Sequence, residues 1–176
     1  MDLSTRFVLL IPYDAINVEI RINIEEYKSP DELSDEEQQL IERAIQTARD
    51  AYAPYSEFHV GASLLLDDGT FVDGNNQENA AYPDGLCAER VAMFAANALH
   101  PGSPVKMMAV AAIYQDKLLD QPVYPCGSCR QALLESENRF MQPIRILMYG
   151  KAGIHAANSI KDLLPLSFDS SFLKSK

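Results

Sequence analysis

Between Ala88 and Tyr114 the chain carries two apolar segments that both need an interior, and they are of different kinds. Residues Ala88 to Leu99 are almost entirely apolar, with Val91, Ala92, Met93, Phe94, Ala95 and Ala96 in succession. A helix apolar all round is expected to sit centrally, covered on every side. Residues Met107 to Tyr114 form a continuous apolar run, as expected of an interior strand. A buried helix beside a buried strand requires further layers. Strands alternating with helices then favour a layered α/β fold.

The flanking segments supply those layers. Ser34-Asp35-Glu36-Glu37 is a capping-box pattern. Leu40, Ile41, Ala44, Ile45 and Ala48 follow at helical spacing, and the helix is expected to end near Tyr52, before Pro54. Val60 to Leu66 and Thr70 to Asp73 read as strands joined by the turn Asp67-Asp68-Gly69. The polar stretch Asn75 to Gly85 reads as a loop. A second helix is expected from near Cys129 to about Glu137, a strand from Ile144 to Tyr149, and a short helix from Ile160 to Leu164, stopped by Pro165. Residues 1–32 look like an N-terminal extension. There Val18, Ile20, Ile22 and Ile24 alternate with polar residues, the period of a half-buried strand, until Lys28-Ser29-Pro30 breaks it. Residues 33–176 read as one domain around one core.

Charge narrows the partners. A formal net charge of −10 opposes nucleic-acid binding, which relies on Lys and Arg neutralising phosphates. A small neutral substrate suits the chain better. No stretch approaches the roughly 20 apolar residues of a membrane helix. The apolar run Phe7 to Pro12 is too short for a signal peptide, so the expected location is cytoplasmic. Three cysteines, two of them in Cys-x-x-Cys, then argue for metal binding or catalysis over disulfides.

The chemistry concentrates in Cys87-Ala88-Glu89-Arg90 and Pro125-Cys126-Gly127-Ser128-Cys129-Arg130-Gln131. Cys126 and Cys129 have the spacing for two thiolates on one ion at a helix start. Cys87 also stands at an expected helix start, where the dipole and free amides favour thiolates. Structural zinc sites are usually closed by four protein ligands, and catalytic ones keep a position for water. His59, His100 and His155 lie in unrelated contexts, so three thiolates and one open position are expected. Glu89 falls in the first turn of the central helix, beside the metal without ligating it. A carboxylate there suits general acid–base work, although Glu is also common at helix N-termini for dipole reasons alone. Arg90 either offsets the charge of the thiolates or forms an ordinary ion pair. Cys-Ala-Glu followed 39 positions later by Pro-Cys-x-x-Cys is far more specific than either half, and it is close to the signature of zinc nucleobase deaminases.

These motifs closely resemble the small homotetrameric cytidine deaminase family, over roughly residues 35–170. Ala53-Pro54-Tyr55-Ser56 with Phe58, Val60-Gly61-Ala62, Asn76-Gln77-Glu78-Asn79-Ala80 and Leu163-Leu164-Pro165 with Phe168 extend the match. The resemblance implies a three-layer α/β/α sandwich with a central mixed sheet, and one Zn²⁺ per subunit on Cys87, Cys126 and Cys129. It implies Glu89 as proton shuttle, Asn76 and Glu78 on the ribose 3′-hydroxyl, Phe58 against the pyrimidine, and the Ala88 amide near O2. Ala80 and Tyr82 complete the pocket, and Phe168 reaches a neighbouring subunit. Without the resemblance, Asn76 and Glu78 read as turn chemistry and Phe58 as core. The implied activity is hydrolysis of cytidine and deoxycytidine in pyrimidine salvage. Asn75 and Val91 depart from frequent Cys and Thr, and neither touches an implied ligand. Competing readings are an aminopyrimidine deaminase of the blasticidin S type, a non-catalytic zinc module and a thioredoxin-like redox protein.

Overall fold

The computed structural model describes residues 18–173. The run Phe7 to Pro12 lies outside the described residues. Among the described residues seven strands form one mixed sheet: β1 (Ile24–Tyr27), β2 (Phe58–Leu66), β3 (Phe71–Asn75), β4 (Val105–Tyr114), β5 (Lys117–Leu118), β6 (Arg145–Gly150) and β7 (Gly153–Ala157). Their order is β1-β7-β6-β4-β2-β3, with β5 paired to β4. All pairs are antiparallel except β4 with β6. A parallel pair needs a crossover, and α3 (Gly127–Phe140) lies within it. Helix α1 (Asp35–Ala48) covers one face of the sheet, and α2 (Ala88–Leu99) with α3 covers the other. The three-layer sandwich is therefore present.

Strand alternation sorts the core into two halves. Leu65, Met107, Ala109, Leu147 and Ile154 pack with Leu40 and Ile41 of α1. Leu64, Met108, Val110, Ile146 and Met148 pack with Met93 of α2 and Leu133 and Leu134 of α3. The run Met107–Ile113 is buried throughout, which is why β4 has no polar alternation.

Helix α1 begins as expected. The Glu37 amide donates to Ser34 Oγ, and the Glu37 carboxylate accepts from the Ser34 amide at 2.9 Å. It stops at Ala48, earlier than Tyr52, because residues 51–53 turn to approach the loop after β3. Helix α2 has the expected bounds but not the expected burial. Ala88, Ala92, Met93 and Ala96 face inward, while Phe94 and Leu99 are exposed, since no layer among the described residues covers the outer side of α2. The N-terminal alternation was expected to make a half-buried strand through Val18–Ile24. Residues 18–23 are instead exposed and without strand pairing among the described residues, and the strand begins at Ile24.

Two glycines set the layer spacing. A Cβ on Gly61 would lie 2.0 Å from the Ala44 carbonyl oxygen, and one on Gly74 would lie 2.4 Å from the Ala92 amide nitrogen. Hence α1 and α2 rest directly on β2 and β3. At the other edge, β1 is locked by Arg145. Its guanidinium donates to Glu25 at 2.8 Å, to Glu37 at 2.6 Å and to Tyr27 Oη at 3.0 Å. The capping residue of α1 thus also anchors the first strand.

Gly74→Ala is expected to lower stability by about 1–3 kcal/mol through overpacking against backbone. Urea midpoints check this, with Gly102→Ala near wild type because open space surrounds that glycine. The Asn158 amide, Arg145 and Tyr27 hold Glu25 down to about 2, well below its ordinary 4.5. A depressed carboxyl stabilises the fold above its unfolded pKa and loses that contribution as pH falls through the folded value. The stability gap between wild type and Glu25→Gln is therefore expected to shrink from about pH 4.5 down to pH 2, as read by denaturant titrations across that window.

Candidate active site

The loop after β3 is stitched before it reaches α2. Gln77 and Leu86 exchange amide-to-carbonyl bonds of 2.9 Å, bringing the two ends of the loop together. The Tyr52 amide donates to the Asn76 carbonyl, and the Glu78 amide donates to the Tyr52 carbonyl. Segments 52–58, 75–79 and 85–90 therefore converge.

Cys87 and Cys126 occupy the N-cap positions of α2 and α3, and neither side chain caps its own helix. Cys129 lies in the first turn of α3 and is buried. Two helix N-termini thus direct partial positive charge at one group of sulfurs. The Sγ atoms of Cys87 and Cys126 are 3.8 Å apart, those of Cys126 and Cys129 are 3.5 Å apart, and all three lie within 4.8 Å of one another. Corners of a tetrahedron with zinc–sulfur bonds of about 2.3 Å are about 3.8 Å apart. The donor set therefore suits one Zn²⁺. Among the described residues no His, Asp or Glu joins this group. His59 lies in β2, His100 caps α2, and His155 faces Tyr124.

The electrostatics favour a thiolate. The neighbouring Cys129 thiol, with help from Arg90, holds Cys87 down to about 5. Arg90 Nη2 lies 3.9 Å from Cys87 Sγ, and its Nε is buried with no partner among the described residues. Arg90 makes no ion pair with a carboxylate among the described residues. Glu89 is 5 % exposed. Burial pushes its carboxyl above the usual range, and the negative charge on Cys87 adds to the effect.

Cys87 and Cys126 line a cavity of about 520 Å³, a size suited to a small organic ligand. Phe58, Asn76, Glu78, Tyr82, Glu89 and Arg90 are all on its wall. Ala88, Ala80 and Phe168 are not. Ala88 is fully buried in the first helical turn, Ala80 is exposed, and Phe168 is 58 % exposed and stacked on Phe172 at 5.5 Å. The Gln131 amide donates to the Phe168 carbonyl, pinning this segment to α3.

Asn76 and Glu78 already have structural work. Asn76 accepts from the Val60 amide at 2.7 Å and donates to the Phe58 carbonyl at 2.9 Å. Glu78 accepts from Ser56 Oγ at 2.5 Å and from the Tyr55 amide at 2.9 Å. Those bonds keep its carboxyl low. Each group retains unused hydrogen-bonding capacity toward the cavity. Sequence reasoning missed Tyr55, Val110, Val123 and Tyr124, which also line the wall. For Tyr124 the available signal was its place directly before Pro125-Cys126.

Comparison with known proteins agrees with this geometry. Residues 34–142 match the family described as the cytidine and deoxycytidylate deaminase zinc-binding region. A cytidine deaminase of Sporosarcina psychrophila is 37% identical over 131 residues, which cover 74% of this chain and 90% of that protein. The crystal structure of a cytidine deaminase from Burkholderia pseudomallei superposes with a TM-score of 0.64 at 36% identity, covering 74% of this chain and 97% of the other. That of a cytidine deaminase from Mycobacterium tuberculosis superposes with a TM-score of 0.59 at 34% identity, covering 74% and 95%. The match spans more than half of the chain and includes all three sulfurs and the glutamate beside them, so this chain belongs to the cytidine and deoxycytidylate deaminase family.

Proposed function

We propose that the chain hydrolyses cytidine, and 2′-deoxycytidine with it, to the uridine nucleoside and ammonia, as a step of pyrimidine salvage. The observation that carries the reading is a buried carboxylate, Glu89, beside three convergent thiols at a cavity of nucleoside size. Cys87, Cys126 and Cys129 hold the zinc. When bound, the metal lowers the pKa of a water toward about 7 and so supplies a nucleophile near neutral pH.

The chain's own residues do the rest. Glu89 takes the proton of the attacking water and delivers it to N3 of the ring as oxygen adds at C4. It then carries the proton of the new C4 hydroxyl to the departing amine, and the C4–N4 bond breaks as the C4 carbonyl forms and ammonia leaves. Its burial supports this role, because a carboxyl with a raised pKa carries a proton at neutral pH more readily than an exposed one. Arg90 offsets negative charge on Cys87, supported by their 3.9 Å approach. Phe58 lies against the pyrimidine, and Tyr82 closes the cavity beside Ala80. The Ala88 amide meets O2, supported by its place in the first helical turn, where amides lack an intrahelical acceptor. Asn76 and Glu78 meet the ribose hydroxyl with the capacity their loop bonds leave.

A neutral nucleoside fits a chain of net charge −10, whereas a nucleic-acid strand would be repelled. No helix among the described residues is long and apolar enough to cross a membrane. We assign the enzyme to the cytoplasm, where its cysteines stay reduced. We assign it a homotetrameric assembly, supported by the exposed Phe94 and Leu99 on α2 and the exposed Phe168–Phe172 stack. Phe168 then reaches a neighbouring copy, and the catalytic unit is residues 33–176, with 1–32 as an extension whose strand joins its sheet.

Purified protein is expected to carry one zinc per chain by metal analysis and to convert cytidine with loss of ultraviolet absorbance. Glu89→Gln is expected to keep the zinc and lose about 10²-fold or more in kcat. Cys126→Ser is expected to lose the metal itself. Full activity in Glu89→Gln, or a monomer in sedimentation, contradicts the corresponding assignment.

A further inference from the structure

Tyr124 stands between two cavities. Tyr124 lines the catalytic cavity with Val123, Cys126 and Glu89. The ring also borders a second cavity of about 450 Å³, with Met148, His155 and Leu163, and with Ile22 and Ile24 from the N-terminal segment. The side chain is 49 % exposed. With open space on both sides, packing alone does not fix its rotamer, and an unfixed aromatic makes a soft wall.

The backbone on either side is nevertheless held. The Val123 amide donates to the Tyr149 carbonyl at 3.4 Å, and Arg130 Nε donates to the Pro125 carbonyl at 2.8 Å. Among the described residues the side chain has one polar anchor. Tyr124 Oη pairs with His155 Nδ1 at 2.9 Å, and the two rings lie 5.8 Å apart. His155 belongs to β7, where strand register sets it between Glu26 of β1 and Met148 of β6. The sheet thereby fixes the position of an aromatic wall in the cavity.

The proposed reaction orients the substrate against that wall. Proton delivery by Glu89 places N3 toward α2. In the pyrimidine ring N3 and C5 flank C4 on opposite sides, so C5 faces the segment that leads into α3. Tyr124 is in that segment, two residues before Cys126.

We propose that Tyr124 determines specificity by limiting substituents at C5 of the pyrimidine, and that His155 is the residue that positions it. The inference rests on the deaminase reading above. The test compares kcat/KM for cytidine and for 5-methylcytidine, with zinc content measured alongside. The variants are Tyr124→Ala, Tyr124→Phe, His155→Ala, His155→Gln and the double variant Tyr124→Phe/His155→Ala.

Tyr124→Ala is expected to raise relative use of 5-methylcytidine about tenfold or more, the scale of one methyl group in a fitted pocket. Tyr124→Phe and His155→Ala are each expected to raise it by a smaller factor. The double variant is expected to exceed neither, because both single changes remove one shared hydrogen bond. His155→Gln, whose amide still reaches a phenol, is expected to restore wild-type discrimination. All variants are expected to keep one zinc per chain.

An unchanged ratio in a Tyr124→Ala enzyme that still deaminates cytidine overturns the inference alone. Relaxed discrimination in Tyr124→Ala with wild-type discrimination in His155→Ala overturns the positioning role. Equal losses on both substrates with loss of zinc show a merely structural role and overturn both. Absence of cytidine turnover by the wild-type protein, by contrast, overturns the deaminase reading itself.

Discussion

Two helices begin at the same point in space, and the site depends on that meeting. An N-terminus leaves amides without intrahelical partners and carries partial positive charge. Cys87 and Cys126 stand at such ends, and Cys129 lies one turn in. Thiols crowded this closely would otherwise resist losing their protons, since a second thiolate repels the first. The two helix ends and Arg90 supply the compensating charge, while burial pushes the Glu89 carboxyl above its usual range against that field. Bringing the ends together is a problem of layers. Parallel pairing of β4 with β6 makes α3 cross the face that α2 already occupies. Gly74 then lets α2 settle onto β3, closer than any side chain would permit.

The opposite edge of the sheet obeys a different logic. Arg145 gathers Glu25, Glu37 and Tyr27, so one guanidinium joins the first strand, the start of α1 and β6. The N-terminal strand is thereby part of the same sheet as β7, which carries His155. A strand whose role was obscure in the linear chain borders the second cavity behind the catalytic wall.

Several site residues serve two purposes. Asn76 and Glu78 tie the loop around Tyr55–Phe58 to the loop after β3, and they also face the cavity. Turn chemistry and substrate contact are therefore compatible at these positions. A carboxylate with two oxygens and an amide with both donor and acceptor have enough lone pairs and protons for both tasks. The loop bonds also hold both side chains in place, which lowers the entropy that a ligand contact at either would cost.

The linear order of residues was sufficient for whatever depends on neighbours in the chain. The capping box at Ser34–Glu37, the β2–β3 turn, the bounds of α2, and the Cys-Ala-Glu and Pro-Cys-x-x-Cys motifs taken singly are all local patterns, and each appears in the fold. The burial of α2 was misjudged, because Phe94 and Leu99 look inward by composition and only the layer arrangement leaves them uncovered. The alternation at Val18–Ile24 misled for a related reason: period two describes a strand only where a partner edge exists, and the free edge of β7 begins to be used at Ile24. Strand β7, and the contact between His155 and Tyr124, residues 31 positions apart in the chain, have no local signature. Chain order pointed to the groups proposed to carry the chemistry. Sheet register and layer packing decided which of them meet, because contacts between distant residues depend on the whole fold rather than on any one segment.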